Sequence, residues 1–246
     1  MTIFTVVCFL VWIYLLSVFT RGKLYFYQFI WGSVGDGIRS VAADAEQTMT
    51  AAAGWDKKWM TPRVPEPEGI LFLPSGIRIK GSRFPLKDVA ARNILLQRQT
   101  SFCFRAETGL FIPKLADGQE AGLTCYYDEN TWVCLALCKA DAYYIQVKEH
   151  IGEKDILHEK YMLSDDCAGK KITLKVKTEY LRRLFTFCVE GQEETAAAEL
   201  PDVFYLCDEG IRMGKRFTGA MTGIYAVAGE QKLYADFSHF IYQDIE

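Results

Sequence analysis

Lys171-Ile172-Thr173-Leu174-Lys175-Val176-Lys177 decides the fold class. Apolar and polar side chains alternate there with a period of two, which puts Ile172, Leu174 and Val176 on one side of an extended chain and the lysines and Thr173 on the other. A helix would scatter the same residues around its axis. Ser101-Phe102-Cys103-Phe104-Arg105-Ala106-Glu107 repeats the pattern. Both predict strands with one dry and one wet face.

Working outward, runs rich in Val, Ile, Thr, Tyr and Phe fill the chain beyond Gly69: ILFL, GIRIKG, ILLQRQTSFCFRAET, AGLTCYYD, TWVCLALCK, AYYIQVKEHI, ILHEKYML, KITLKVKTEY, RRLFTFCVEG, FTGAMTGIYAVA and YADFSHFIYQDI. Gly, Asp, Asn and Glu interrupt them at hairpin spacing, as in Tyr127-Asp128-Glu129-Asn130-Thr131 and Val189-Glu190-Gly191-Gln192. Only Glu193 to Ala198 reads as helical. Without alternating helices to carry parallel crossovers, residues 55–246 predict an all-β antiparallel sandwich or jelly roll of ten or so strands.

The chain before residue 55 has another character. Ile3 to Thr20 (IFTVVCFLVWIYLLSVFT) carries no charge before Arg21 and Lys23, and as a helix it would reach about 27 Å against a bilayer core of about 30 Å. Residues 1–23 therefore predict a hydrophobic helix, either a transmembrane anchor or a secretory signal. The amino end lacks Lys and Arg, and no small-x-small cleavage site follows closely. The positive charges after the run would leave an anchored domain on the cytoplasmic side. A misassigned start would also leave the domain cytoplasmic. Residues 24–54 read as a linker or a poorly packed segment, and Pro62, Pro65 and Pro67 make WMTPRVPEPEG an extended loop.

Half of the 246 residues are hydrophobic and 24% are charged, a globular balance. With 28 Lys and Arg against 31 Asp and Glu, no broad basic surface exists for nucleic acid. Eight cysteines are present, Cys8 in the apolar run and Cys103, Cys125, Cys134, Cys138, Cys167, Cys188 and Cys207 beyond it. They show neither CxxC nor a zinc-type Cys/His spacing and read as buried free thiols in a reducing compartment.

Catalytic signatures are missing: there is no GxSxG, no P-loop, no GxGxxG after a strand and no HExxH. His150, His158 and His239 stand alone in strand-like runs and read as surface or satisfied core histidines. Asp165-Asp166 and Glu193-Glu194 are adjacent carboxylates. A glycosidase needs its pair about 5 to 9.5 Å apart across the scissile bond, whereas strand neighbours point to opposite faces. Tyr126, Tyr127, Trp132, Tyr143, Tyr144 and Phe217 are candidate sugar-stacking rings, with core packing as the competing role.

Longer patterns carry a resemblance. Ala121-Gly122-Leu123-Thr124-Cys125-Tyr126-Tyr127 with Trp132, Leu184-Phe185-Thr186-Phe187 leading into Glu190-Gly191, Phe217-Thr218-Gly219-Ala220, and Ala235-Asp236-Phe237 occur in that order. Upstream stand Trp55-Asp56-Lys57-Lys58-Trp59-Met60-Thr61-Pro62-Arg63 and Leu95-Leu96-Gln97-Arg98-Gln99-Thr100. Together they resemble the carboxy-terminal concanavalin A-like β-sandwich of glycoside hydrolase family 43 β-xylosidases, over about residues 55–246.

The resemblance implies chemistry located elsewhere. Members of that family carry an amino-terminal five-bladed propeller whose three acidic residues hydrolyse xylosides or arabinofuranosides with inversion, and this chain holds no such propeller. It also implies that Phe217 walls the xylose pocket of the propeller, with Thr218 and Gly219 shaping the turn. Met221 stands where that motif more often has an aromatic. Gly219 and Gly223 would permit close backbone approach. Related sandwiches hold a structural calcium near the position of Asp236, although the acidic segment expected before Trp55 is replaced here by TMTAAAG.

The reading that follows is an auxiliary module docking on a propeller and contributing Phe217 to its sugar pocket. Two alternatives stand beside it. One is a membrane-tethered, lectin-like module for xylo-oligosaccharides with Tyr127 and Trp132 stacking on the sugar. The other is a purely structural or oligomerising domain.

Overall fold

Alternating runs become strands, as expected. A computed structural model describes residues 56–164, 167–211 and 219–245, all within the unit Ala52–Glu246. The described residues form fourteen strands: β1 (Trp59–Met60), β2 (Ile70–Leu73), β3 (Gly76–Lys80), β4 (Leu95–Arg98), β5 (Cys103–Phe111), β6 (Glu120–Asp128) and β7 (Thr131–Lys139), then β8 (Tyr143–Ile151), β9 (Lys154–Met162), β10 (Lys171–Glu179), β11 (Arg182–Val189), β12 (Thr195–Leu200), β13 (Met221–Val227) and β14 (Tyr234–Asp244). One sheet runs β1-β4-β13-β6-β7-β8-β9 and the other β12-β11-β10-β5-β14-β3-β2. Their inner faces meet over Phe104, Leu123, Leu135, Ile145, Val176, Phe185, Ile224 and Phe237.

Three expectations change. Thr195–Leu200 is an edge strand and no helix. Its pairing with β11 and the burial of Ala197 and Leu200 outweigh the helix preference of its three alanines. The run ILLQRQTSFCFRAET is two strands in different sheets, with residues 99–102 crossing between them. Finally, β6 and β7 are dry on both faces. The segment between β3 and β4 lays Leu86, Ala91 and Ile94 across the outside of their sheet, over Tyr126, Trp132, Cys134, Ala136 and Tyr225.

That second layer encloses a charge. Lys148 forms an ion pair with Glu120, which also accepts from the Tyr225 hydroxyl at 3.1 Å. Burial works to lower the Lys148 pKa, and the Glu120 carboxylate more than reverses it. By contrast, the outer face of the second sheet is wet and laced with ion pairs, including Lys175–Glu194 at 2.5 Å and Arg182–Glu199 at 2.7 Å.

The expected hydrophobic helix over residues 1–23 and the linker over 24–54 lie outside the described residues. Among the described residues no helix is long and apolar enough to cross a membrane. The seven described cysteines are free.

Candidate functional site

The sandwich opens at the end where the chain crosses from β4 to β5. Residues 99–102, the β10–β11 turn at Tyr180 and Leu181, the stretch Leu206–Glu209 and the entry to β13 at Gly219 and Ala220 surround a groove of about 720 Å³. Its volume falls in the range of about 300–1,000 Å³ usual for small-molecule sites.

Two aromatic rings stand at its rim. Phe102 is 79% exposed and Tyr180 70%. Their planes lie 14° apart with centroids separated by 6.3 Å, an offset stack. The Tyr180 amide donates to the Phe102 carbonyl at 2.8 Å, which ties the hairpin turn to the crossover. Tyr180 adopts φ 54°, a left-handed conformation that costs a residue with a Cβ.

Below the rim the alternation of β11 turns Arg183 inward with Phe185 and Phe187, so that its guanidinium caps the end of the core. Arg183 is 5% exposed. Nη1 donates to the Tyr180 carbonyl at 2.8 Å, Nη2 reaches Gln99 Oε1 at 3.4 Å, and the group lies 5.5 Å from the Phe104 ring centroid. Arg183 Nε, Gln99 Nε2 and Thr178 Oγ1 are buried without a hydrogen-bond partner among the described residues. Leaving such atoms unpaired costs about 1–3 kcal/mol each.

Acidic groups face this cluster. Asp208, which accepts from the Tyr127 hydroxyl, and Glu209 line the same groove. Cys207 lies beside them, but burial pushes its thiol pKa up, with neighbouring acids adding to the effect against Arg183. Such a thiol is a poor nucleophile near neutral pH.

The residues singled out in the sequence separate. Gly219 is at the groove, and its φ of 68° explains glycine there, since a Cβ would meet nothing within 4 Å. Gly223 is the position of close approach: a Cβ would lie 2.0 Å from the Leu95 carbonyl oxygen. Met221 packs half-buried against the outer-face cluster. Phe217, Thr218, Asp165 and Asp166 lie outside the described residues.

The expected sugar-stacking rings are mostly interior. Tyr127 is 2% exposed, Trp132 is 7% exposed and stacks on His150 at 5.4 Å, and Tyr126 and Tyr143 are likewise buried. Tyr144 lies under Lys160, whose ammonium is 4.5 Å from the ring centroid. Neither Tyr127 nor Trp132 offers a ring face to solvent. Each histidine has an acidic neighbour: His150 with Asp155 at 2.5 Å, His158 with Glu149 at 2.7 Å and His239 with Glu107 at 3.6 Å. Glu194 is held by Lys175 and Thr186.

Asp236 meets Arg78 through both carboxylate oxygens, at 2.6 and 2.9 Å. Calcium requires six to eight oxygen ligands, and no group of three or more His, Cys, Asp or Glu side chains that could hold a metal occurs among the described residues. The described surroundings of Asp236 do not fit the ion.

Phe102, Tyr180 and Arg183 were not marked by sequence patterns. Phe102 shares the alternation that predicts core, and only the placement of Tyr180-Leu181 between Glu179 and Arg182, two large apolar residues in a hairpin turn, signalled an exposed ring.

Comparison with known proteins now bears on this geometry. The model of the beta xylosidase C-terminal concanavalin A-like domain matches residues 51–243. The chain belongs to this family. As a GH43 C-terminal domain it is 28% identical to the GH43 protein BlXynB from Bacillus licheniformis, with a TM-score of 0.72, covering 78% of this chain and 37% of that one. The xylan beta-1,4-xylosidase from Bacillus halodurans C-125 shares the fold at 24% identity and a TM-score of 0.69, over 77% of this chain and 37% of that one. A protein of Escherichia coli (strain K12), provisionally named a beta-xylosidase, is 25% identical over 203 residues, 79% of this chain and 37% of the relative. The chain thus spans little more than a third of the length of these relatives.

Proposed function

We propose that this GH43 domain is an auxiliary module of a β-xylosidase- or arabinofuranosidase-like glycoside hydrolase, docking on a catalytic propeller and supplying Phe217 as an aromatic wall of its xylose pocket. The family match over residues 51–243 carries the reading, because in its relatives the matched part is a minor share of a longer glycoside hydrolase chain. Gly219, two residues after Phe217, borders the open end of the sandwich, where a partner surface has access. The positive φ of Gly219 suits a sharp turn at that edge.

In this role the ring works by shape. Capping the pocket excludes water and restricts it to short, terminal sugar units. Proton transfer and attack by water belong to the acids of the partner.

The test is a chimera in which residues 51–243 replace the matching segment of BlXynB, assayed on a chromogenic xyloside. Phe217→Ala should lower kcat/KM by about tenfold, equivalent to roughly 1.4 kcal/mol of transition-state contact. Unchanged kcat/KM in that variant would remove Phe217 from the pocket.

A further inference from the structure

The groove between residues 99–102 and the β10–β11 turn shares the open end of the sandwich with Gly219 and also has the parts of a ligand site. We propose that it binds a short neutral oligosaccharide, with one sugar ring on the Phe102–Tyr180 pair and hydroxyls directed at Gln99, Thr178 and Arg183.

Four observations support the assignment. First, Phe102 and Tyr180 are both exposed and offset, so their ring faces can accept the C–H face of a sugar. Two adjacent aromatic rings left open to water mark an interaction site. Second, three buried polar atoms without partners, Arg183 Nε, Gln99 Nε2 and Thr178 Oγ1, belong to residues that line this one groove. A polyol both donates and accepts, which suits an amide and a guanidinium beside a hydroxyl. The half-buried Gln99 side chain must swing aside for a ligand hydroxyl to reach Arg183.

Third, Asp208 and Glu209 share the lining with Arg98 and Arg183, so the groove's charges balance and an anionic ligand would lose hydration without a net countercharge, which favours a neutral one. Fourth, the Tyr180 backbone is held at φ 54° while its amide fixes the Phe102 carbonyl. The strained turn keeps the two rings together before any ligand arrives, which reduces the ordering cost of binding. Every lining residue named belongs to this chain, so the site is testable on the chain alone.

Calorimetric titration of the full chain with xylotriose tests it. The expected result is saturable binding with a dissociation constant in the millimolar range or tighter, weakened about tenfold by Phe102→Ala and by Tyr180→Gly. Tyr180→Gly is informative because glycine adopts the left-handed φ freely, so the ring disappears without straining the fold. An unchanged thermal midpoint verifies that the variant is intact. Trigalacturonate should bind more weakly than xylotriose. Absence of saturable heat with xylotriose, undiminished affinity in both ring variants, or equal affinity for trigalacturonate would overturn the proposal. The chimera assay of Phe217 is independent of each of these results.

Discussion

His239 shows how one side chain can set a pH response. Burial lowers its pKa below 6.5, Lys171 of β10 reinforces the shift, and Glu107 of β5 opposes it, while Ser238 contacts Nδ1 at 2.9 Å. Because the folded pKa is depressed, the unfolded chain takes up the proton first. Stability should fall as pH drops through about 6.5 and level off below the folded pKa, apart from carboxylate effects at still lower pH. Urea denaturation between pH 7.5 and 5 should show this slope, and His239→Gln should flatten it. A slope that survives the substitution would assign it to other groups. Lys148 is the other ionisable residue whose surroundings matter. Removing its charge in Lys148→Met leaves the partly buried Glu120 beside Tyr225 without a cation and should cost about 2 kcal/mol, measured by denaturant midpoint. A loss below about 1 kcal/mol would mean that water reaches Glu120.

Among the elements, β13 is constrained on both sides. It pairs with β4 on one side and β6 on the other, and Gly223 sits where β4 presses against it. Gly223→Ala drives a Cβ to within 2.0 Å of the Leu95 carbonyl. It should lower stability by about 3 kcal/mol or more, or leave the chain insoluble. A variant with an unchanged melting temperature would show that the two strands can part.

These elements also show what the sequence could reveal. Period-two alternation in Ser101–Glu107 and Lys171–Lys177 marked β5 and β10 because one face of each is wet there. Thr195–Leu200 was obscured because alanine is a helix former whose strand state exists only through its partner β11. The unbroken apolar character of Thr131–Cys138 recorded burial on both faces, but the covering residues Leu86, Ala91 and Ile94 come from a loop with no periodicity. Aromatic identity likewise cannot separate Trp132, sealed under that loop, from Phe102, left at the rim. Arg183 is turned inward by the register of β11, which its residue type does not signal.

At the scale of the molecule, two seven-stranded sheets bring distant stretches of chain to one open end. Gln99, Thr178, Arg183, Asp208 and Gly219 are far apart in sequence and share one groove, which no local motif announces. The proposed auxiliary role assigns hydrolytic chemistry to a partner. Glu194 of the Glu193–Glu194 pair is engaged by Lys175 and Asp236 by Arg78. The most direct test of the auxiliary role is the turnover of a chromogenic xyloside by the purified full chain without any catalytic propeller. The account predicts no hydrolysis above the uncatalysed background, and saturable hydrolysis that disappears when a carboxylate of this chain is replaced would contradict it.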